Sequence, residues 1–223
     1  MSRANSLTRK KILVIAGALA GIGGCMTDIL GTFILGAQSE GYNSLTSTMS
    51  QLGVPSDPVA TRIRVCWIAM GLLLTFFGAT FGIAFTKRKT RALLAGGFLM
   101  LYGVGEGLGS AIFPADKAGT VYTSIGLFHS IAGSIGVAAL ILFPVIMIKI
   151  RPGLRSLYQI TFYTGLAFVI LFGLGRMAVS QEHAIGLFKG LWQRIYMLIY
   201  YLGIIVTACT VLYDQFKKHP EMQ

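Results

Sequence analysis

Six apolar runs divide the chain, at 12–36, 63–85, 92–113, 121–148, 157–179 and 195–213, and each is long enough to cross a bilayer as a helix. Backbone amides in hydrocarbon have no water to bond, so the helix is the default conformation for every such run. The fold class that follows is all-α: a polytopic membrane helix bundle of about six transmembrane helices. The short connections leave room for only one transmembrane domain over 1–223. Charge agrees with this reading, because only 12% of residues are charged against roughly 25% in a soluble domain.

The formal net charge of +11 reports topology rather than nucleic-acid binding, since the basic residues lie between apolar runs and not on a soluble face. One set comprises Arg3, Arg9, Lys10 and Lys11, then Lys87, Arg88, Lys89 and Arg91, then Lys149, Arg151 and Arg155, and finally Lys217 and Lys218. By the positive-inside rule these thirteen are cytoplasmic, giving an N-in/C-in topology in the plasma membrane, which for a prokaryote is the cytoplasmic membrane. The opposite loops hold only Lys117 and Lys189, with Arg62, Arg64 and Arg194 at helix mouths. Trp67, Trp192, Tyr42 and Tyr122 are predicted at the outer interface, and Tyr158 and Tyr213 at the inner one.

The N-terminus also has features of a signal peptide, and Ile22-Gly23-Gly24-Cys25 loosely resembles a lipoprotein cleavage box. The apolar run continues past Cys25 to Gly36, which favours an uncleaved first helix. Cys25, Cys66 and Cys209 show neither a CxxC nor a zinc spacing. In the longest loop, 37–61, Leu45, Met49 and Leu52 recur at helical spacing and predict a short amphipathic helix ended by Pro55 and Pro58.

Asp28, Glu106, His129 and Arg176 fall inside the runs, where an ionisable side chain is a functional-site hypothesis by default. Asp28 and Glu106 precede the outer ends of their runs by eight and seven residues, and His129 follows its outer end by eight. That puts all three roughly 10 to 12 Å below the outer surface. Arg176 and Arg194 can reach the same layer. Asp28, Glu106, His129 and Arg176 each share a helical stripe with small residues, for example His129 with Gly126, Gly133 and Gly136 and Arg176 with Gly165 and Gly173, a spacing that turns such side chains toward protein. The sharper expectation is a ligand-binding pocket in the extracytoplasmic half, built from Asp28, Ser50, Glu106, Asp116, His129, Arg176 and Arg194. The plainer one is a set of interhelical ion pairs.

Specific chemistries are less well supported. No metal is assigned, because zinc usually needs three His, Cys or carboxylate ligands and this layer offers His129 with Asp28, Glu106, Asp116 and the loop residue His183. Haem between two histidines is excluded in the bundle, and no cofactor is called for. Ser50 or Ser110 beside His129 would suit a membrane-embedded hydrolase, with His129, Glu106 and Asp28 as candidate catalytic groups. A transporter is disfavoured because the polar layer lies off the midplane and no repeat is visible.

Taken in order, Asp28, Tyr42-Asn43, Met49-Ser50-Gln51-Leu52-Gly53, Phe113-Pro114-Ala115-Asp116, His129 and Gly190-Leu191-Trp192-Gln193-Arg194 resemble the prokaryotic six-helix family called domain of unknown function 998. The resemblance covers nearly the whole chain. It implies polar motifs on the extracytoplasmic side and brings no activity with it. The family favours Glu before the final arginine, where this chain has Gln193, which puts a catalytic carboxylate there in doubt. The leading expectation is binding of a lipid headgroup or small polar ligand from the outer side, with membrane lipids as partners. A membrane-embedded hydrolase of lipid or peptide comes second, and a non-catalytic scaffold or assembly factor third.

Overall fold

The apolar runs become helices. The computed structural model describes residues 3–177 and 183–217 and contains six helices long and apolar enough to cross a membrane. They are α1 (Arg3–Gly36), α2 (Ala60–Ala84), α3 (Lys89–Tyr102), α4 (Ser124–Ile150), α5 (Arg155–Met177) and α6 (Lys189–Lys217). The third continues through a π-helical segment, Gly103–Gly109, to a last α-turn, Ser110–Ile112. No strand occurs among the described residues. Val179, the expected end of the fifth run, lies outside them.

Each helix packs on the next in sequence and α6 returns to α1, so the six close into a ring. The α4–α5 seam is the most sparsely packed of the six. Tyr102, Tyr196, Tyr200, Tyr201, Met70 and Leu99 fill the centre, each at most 1% exposed. The exterior is apolar as well, with Phe33, Ile160 and Leu202 largely exposed, which is the arrangement expected where lipid rather than water is the solvent. At the end that carries the basic connections, Arg151 pairs with Asp214, the one ion pair among the described residues, and Arg88 donates to the Lys149 carbonyl. The opposite end carries connections 37–59 and 113–123 and is called the loop end below.

Glycine sets the interhelical distances. A Cβ at Gly71 of α2 would lie 2.6 Å from the Gly103 carbonyl oxygen, and one at Gly107 would lie 2.5 Å from the Gly71 Cα. On the other side, a Cβ at Gly105 would lie 2.5 Å from the Ala132 oxygen of α4. Such separations are below van der Waals contact, so α3 meets both neighbours backbone to backbone. Gly103, Gly105, Gly107 and Gly109 alternate with larger residues through the π segment. Four poor helix formers in seven residues weaken the α-helical ladder and allow the wider turn.

Several sequence expectations need correction. Trp67 and Tyr158 are buried core residues rather than interface anchors: Trp67 packs in a cluster with Leu52 and Ile63, and the Tyr158 hydroxyl bonds that of Thr207 at 2.8 Å. Tyr122 and Tyr213 are exposed, as belt residues require. The amphipathic helix reduces to one 3₁₀ turn, Met49–Gly53, because Met49 and Leu52 point inward while Leu45 lies on the surface outside the turn. The fourth helix starts at Ser124 and not at Val121, since the Thr123 hydroxyl caps it by accepting the Gly126 N–H at 3.1 Å.

Gly71→Ala is expected to destabilise the protein by about 1–3 kcal/mol through overpacking. Gly97→Ala, where an added methyl would meet nothing within 4 Å, should be neutral or stabilising by up to about 1 kcal/mol. Thermal unfolding of the two variants in detergent checks the contrast.

Candidate functional site

At the loop end, the connection after α1 folds over the bundle and is tied to α6. Arg194 donates to the carbonyls of Ser44 at 2.6 Å, Ser47 at 3.2 Å and Gly190 at 3.0 Å, and to the Tyr42 hydroxyl at 2.5 Å. Tyr42 in turn donates to the Thr48 carbonyl at 3.2 Å. Burial raises the Tyr42 hydroxyl above the usual tyrosine range despite Arg194, so it stays protonated and able to donate. Next to Arg194, the Gln193 Oε1 accepts the Met49 N–H at 2.7 Å. Gln51 then joins this roof to the 113–123 connection, donating to the Asp116 carbonyl at 3.1 Å and accepting the Ala118 N–H at 3.0 Å.

Asp116 organises the entry to α4. Its carboxylate accepts the Thr123 N–H at 2.9 Å and the Thr123 hydroxyl at 2.8 Å, and it occupies the space that a side chain at Gly126 would need. One turn later, His129 Nδ1 lies 2.8 Å from the Phe113 carbonyl oxygen. A carbonyl only accepts, so Nδ1 carries the proton, and in the neutral ring Nε2 is left as a lone-pair acceptor. Below it, Gly133 makes room for Glu106, whose Oε2 lies 2.7 Å from where a Cβ at Gly133 would stand.

These side chains border three adjoining cavities. A vestibule of about 520 Å³ under the roof is lined by Asp116, His129, Ser130 and Arg176 among others. Beside it, a cleft of about 340 Å³ opens at the α4–α5 seam. Its upper wall is Ser50, Glu106, His129, Arg176 and Gln193, and its lower wall is Val137, Ala138, Ile141, Val169 and Phe172. Deeper still, about 10 Å³ is enclosed between Asp28, Ser110 and Glu106. Ser50 borders all three, while Glu106 belongs to the cleft and the inner cavity.

Asp28 is 1% exposed. Its Oδ2 accepts the Tyr201 hydroxyl at 2.7 Å, and that hydroxyl lies 2.7 Å from the Tyr102 hydroxyl, which in turn reaches the Met197 sulfur at 3.4 Å. Arg176, by contrast, is an exposed residue at the cleft mouth, donating to the Tyr122 hydroxyl at 3.4 Å.

Of the seven residues expected to share a pocket, Asp28, Ser50, Glu106, His129 and Arg176 do converge through adjoining cavities, and Asp116 lines the vestibule while capping α4. Arg194 does not line them; its donors hold the roof. The ion pairs of the plainer reading are absent among the described residues at this end. His183 is exposed and borders none of the three cavities. Sequence reasoning passed over Tyr201, Tyr102 and Tyr196. It also missed the π segment, for which the alternation Gly-Val-Gly-Glu-Gly-Leu-Gly was the available signal.

A comparison with curated proteins and with solved structures finds no similar chain. Residues 14–210 match the family described as a protein of unknown function (DUF998). With that match over most of its length and six helices apolar enough to span a bilayer, the chain is a multi-pass integral membrane protein belonging to the DUF998 family.

Proposed function

We propose that this protein binds a membrane lipid by its headgroup in the polar cleft at the loop end, with an acyl chain lying along the seam between α4 and α5. The observation that carries this reading is the change of character along the cleft, from Glu106, His129 and Arg176 above to Val137, Ile141, Val169 and Phe172 below. From His129 to Ile141 the cleft follows three turns of α4, roughly 18 Å, which is close to half of a hydrocarbon core of about 30 Å. A small polar ligand would not need an apolar groove one leaflet deep. In the orientation given by the basic residues, with both termini in the cytoplasm, the cleft serves the outer leaflet of the cytoplasmic membrane. Arg176, with five donors in a planar fork, suits a lipid phosphate. Glu106 and His129 Nε2 would accept from headgroup hydroxyls or an amine.

A hydrolase is the second reading, favoured by the free lone pair that the Phe113 bond imposes on His129 Nε2. Against it, neither serine of the site is hydrogen-bonded to His129, and the Ser110 hydroxyl faces the inner cavity without a partner.

Titration of purified protein with short-chain phosphatidylglycerol, followed by native mass spectrometry, tests the binding reading. Arg176→Gln should weaken retention by about tenfold, matching a lost charge-assisted bond of about 1.5 kcal/mol. Gly173→Trp should abolish retention by filling the cleft, since a Cβ there meets nothing within 4 Å. Unchanged retention in both variants would leave the scaffold reading in its place. His129→Ala separates binding from turnover: a binder keeps lipid with at most a few-fold loss, whereas a hydrolase keeps lipid and ceases to release fatty acid or headgroup. Arg194→Gln is expected to speed amide hydrogen exchange across 42–53 while leaving lipid affinity within a few-fold, because its donors hold the roof.

A further inference from the structure

The small space beneath the cleft cannot take a ligand of the cleft's kind, yet two carboxylic acids and two serines line it beside Met49, Trp67, Met70 and Met197. Its volume of about 10 Å³ is close to that needed by a single water. Two of the polar atoms on residues that line it, Asp28 Oδ1 and Ser110 Oγ, are buried and have no hydrogen-bond partner. Asp28 is 1% exposed and Ser110 4%. The third polar wall is Glu106, whose carboxylate accepts no hydrogen bond from a described residue, although Gly133 and Gly136 of α4 crowd against it.

The donor inventory points to one occupant. A serine hydroxyl can donate, whereas an ionised carboxylate only accepts. A water placed among them would accept from Ser110 Oγ–H and donate to Asp28 Oδ1 and to Glu106, making the three hydrogen bonds typical of a buried water. Charge supplies the second half of the argument. Two ionised carboxylates facing one small buried cavity repel strongly, so one shared proton suits the pair better than two charges.

The surrounding groups offset that repulsion only at Asp28, which the Tyr201 hydroxyl and the Trp67 indole N–H face. From α1 and α2 the neighbours are the thiols of Cys25 and Cys66 and the Trp67 indole; from α3 and α6 they are the hydroxyls of Tyr102, Tyr196 and Tyr201. His129 approaches from α4 on the cleft side of Glu106. The two cations whose fields reach the pair are Arg176 on α5 and Arg194 on α6. One is bonded to Tyr122 at the cleft mouth and the other clamps the roof, so neither pairs directly with Asp28 or Glu106.

We propose that the inner cavity is a proton-binding site: one ordered water bridges Asp28, Ser110 and Glu106, and a single proton is held between the two carboxylates. Proton transfer through the water conserves charge, since the proton leaving one oxygen is matched by one arriving at the other. Because Glu106 also faces the cleft, the position of that proton sets the charge presented there. A proton on Asp28 leaves Glu106 anionic toward the cleft, and a proton on Glu106 makes it a neutral donor. The site stands independently of whether the cleft holds lipid.

Infrared difference spectroscopy of the purified protein in lipid nanodiscs, titrated in H₂O and D₂O, reads the proton directly as the carbonyl stretch of a protonated carboxylic acid. The wild type should show one such band near neutral pH, sensitive to deuteration. Asp28→Asn and Glu106→Gln are near-isosteric, and Asn at 28 still accepts from Tyr201. Each should move the midpoint of the remaining acid, since two acids that share a proton titrate as one coupled pair. Ser110→Ala should shift the band frequency without abolishing it. The proposal is overturned if no protonated carboxyl is present between pH 5 and 9, or if each variant leaves the other acid's midpoint unmoved. It is also overturned if replacing sodium with choline restores a band that sodium had suppressed, which would assign the cavity to a metal cation.

Discussion

Backbone contact between α3 and its two neighbours is the constraint on which the rest of the interior depends. An ordinary helix pair keeps its axes 8–10 Å apart with side chains between them. Here Gly103 and Gly107 lie directly on Gly71 of α2, and Gly105 lies on Ala132 and Gly136 of α4. With no side chain as spacer, the one large polar residue of the segment, Glu106, is carried into the space between α3, α4 and α6. The π-helical turn is what lets glycines on both sides of Glu106 face different neighbours at once. Cleft and inner cavity are therefore two sides of one carboxylate.

Two arginines illustrate how alike residues in sequence come to different uses. Both Arg176 and Arg194 sit near the loop ends of their helices, and depth alone assigns them to one layer. What separates them is the carbonyls nearby. The connection 42–48 turns several carbonyl oxygens toward α6, and a guanidinium with five donors satisfies them together. Arg176 has no such loop above it among the described residues, so its donors remain at the cleft mouth with Tyr122.

The six long apolar helices and the convergence of Asp28, Glu106 and His129 on adjoining cavities were legible in the sequence because both follow from run length and from the rise per residue of a helix. The cavity partners were harder to read. Tyr102 and Tyr201 look like ordinary apolar-run tyrosines, and only their meeting across the ring reveals a hydrogen-bonded chain to Asp28. Trp67 and Tyr158 went astray for a related reason: a run's end marks an interface only if no loop or neighbouring helix covers it, and here Leu52 and Thr207 lie against them. The Leu45, Met49, Leu52 spacing fitted a helix, but the Ser44 and Ser47 carbonyls accept from Arg194 and the Thr48 carbonyl from Tyr42, so helical bonding is confined to a turn closed on the Asn43 carbonyl and the 3₁₀ turn after it.

The closure of the ring also has a meaning for synthesis of the chain. Asp28 and Tyr201 are separated by 173 positions, so the first helix enters the membrane long before its partner exists. At about 5–20 residues per second, roughly ten to thirty seconds pass between translation of the two. Throughout that interval the acid lacks the hydroxyl that donates to it in the finished ring. The last helix thus completes a bond that the first has been waiting for, and correct assembly is registered at the seam where the chain's two ends meet.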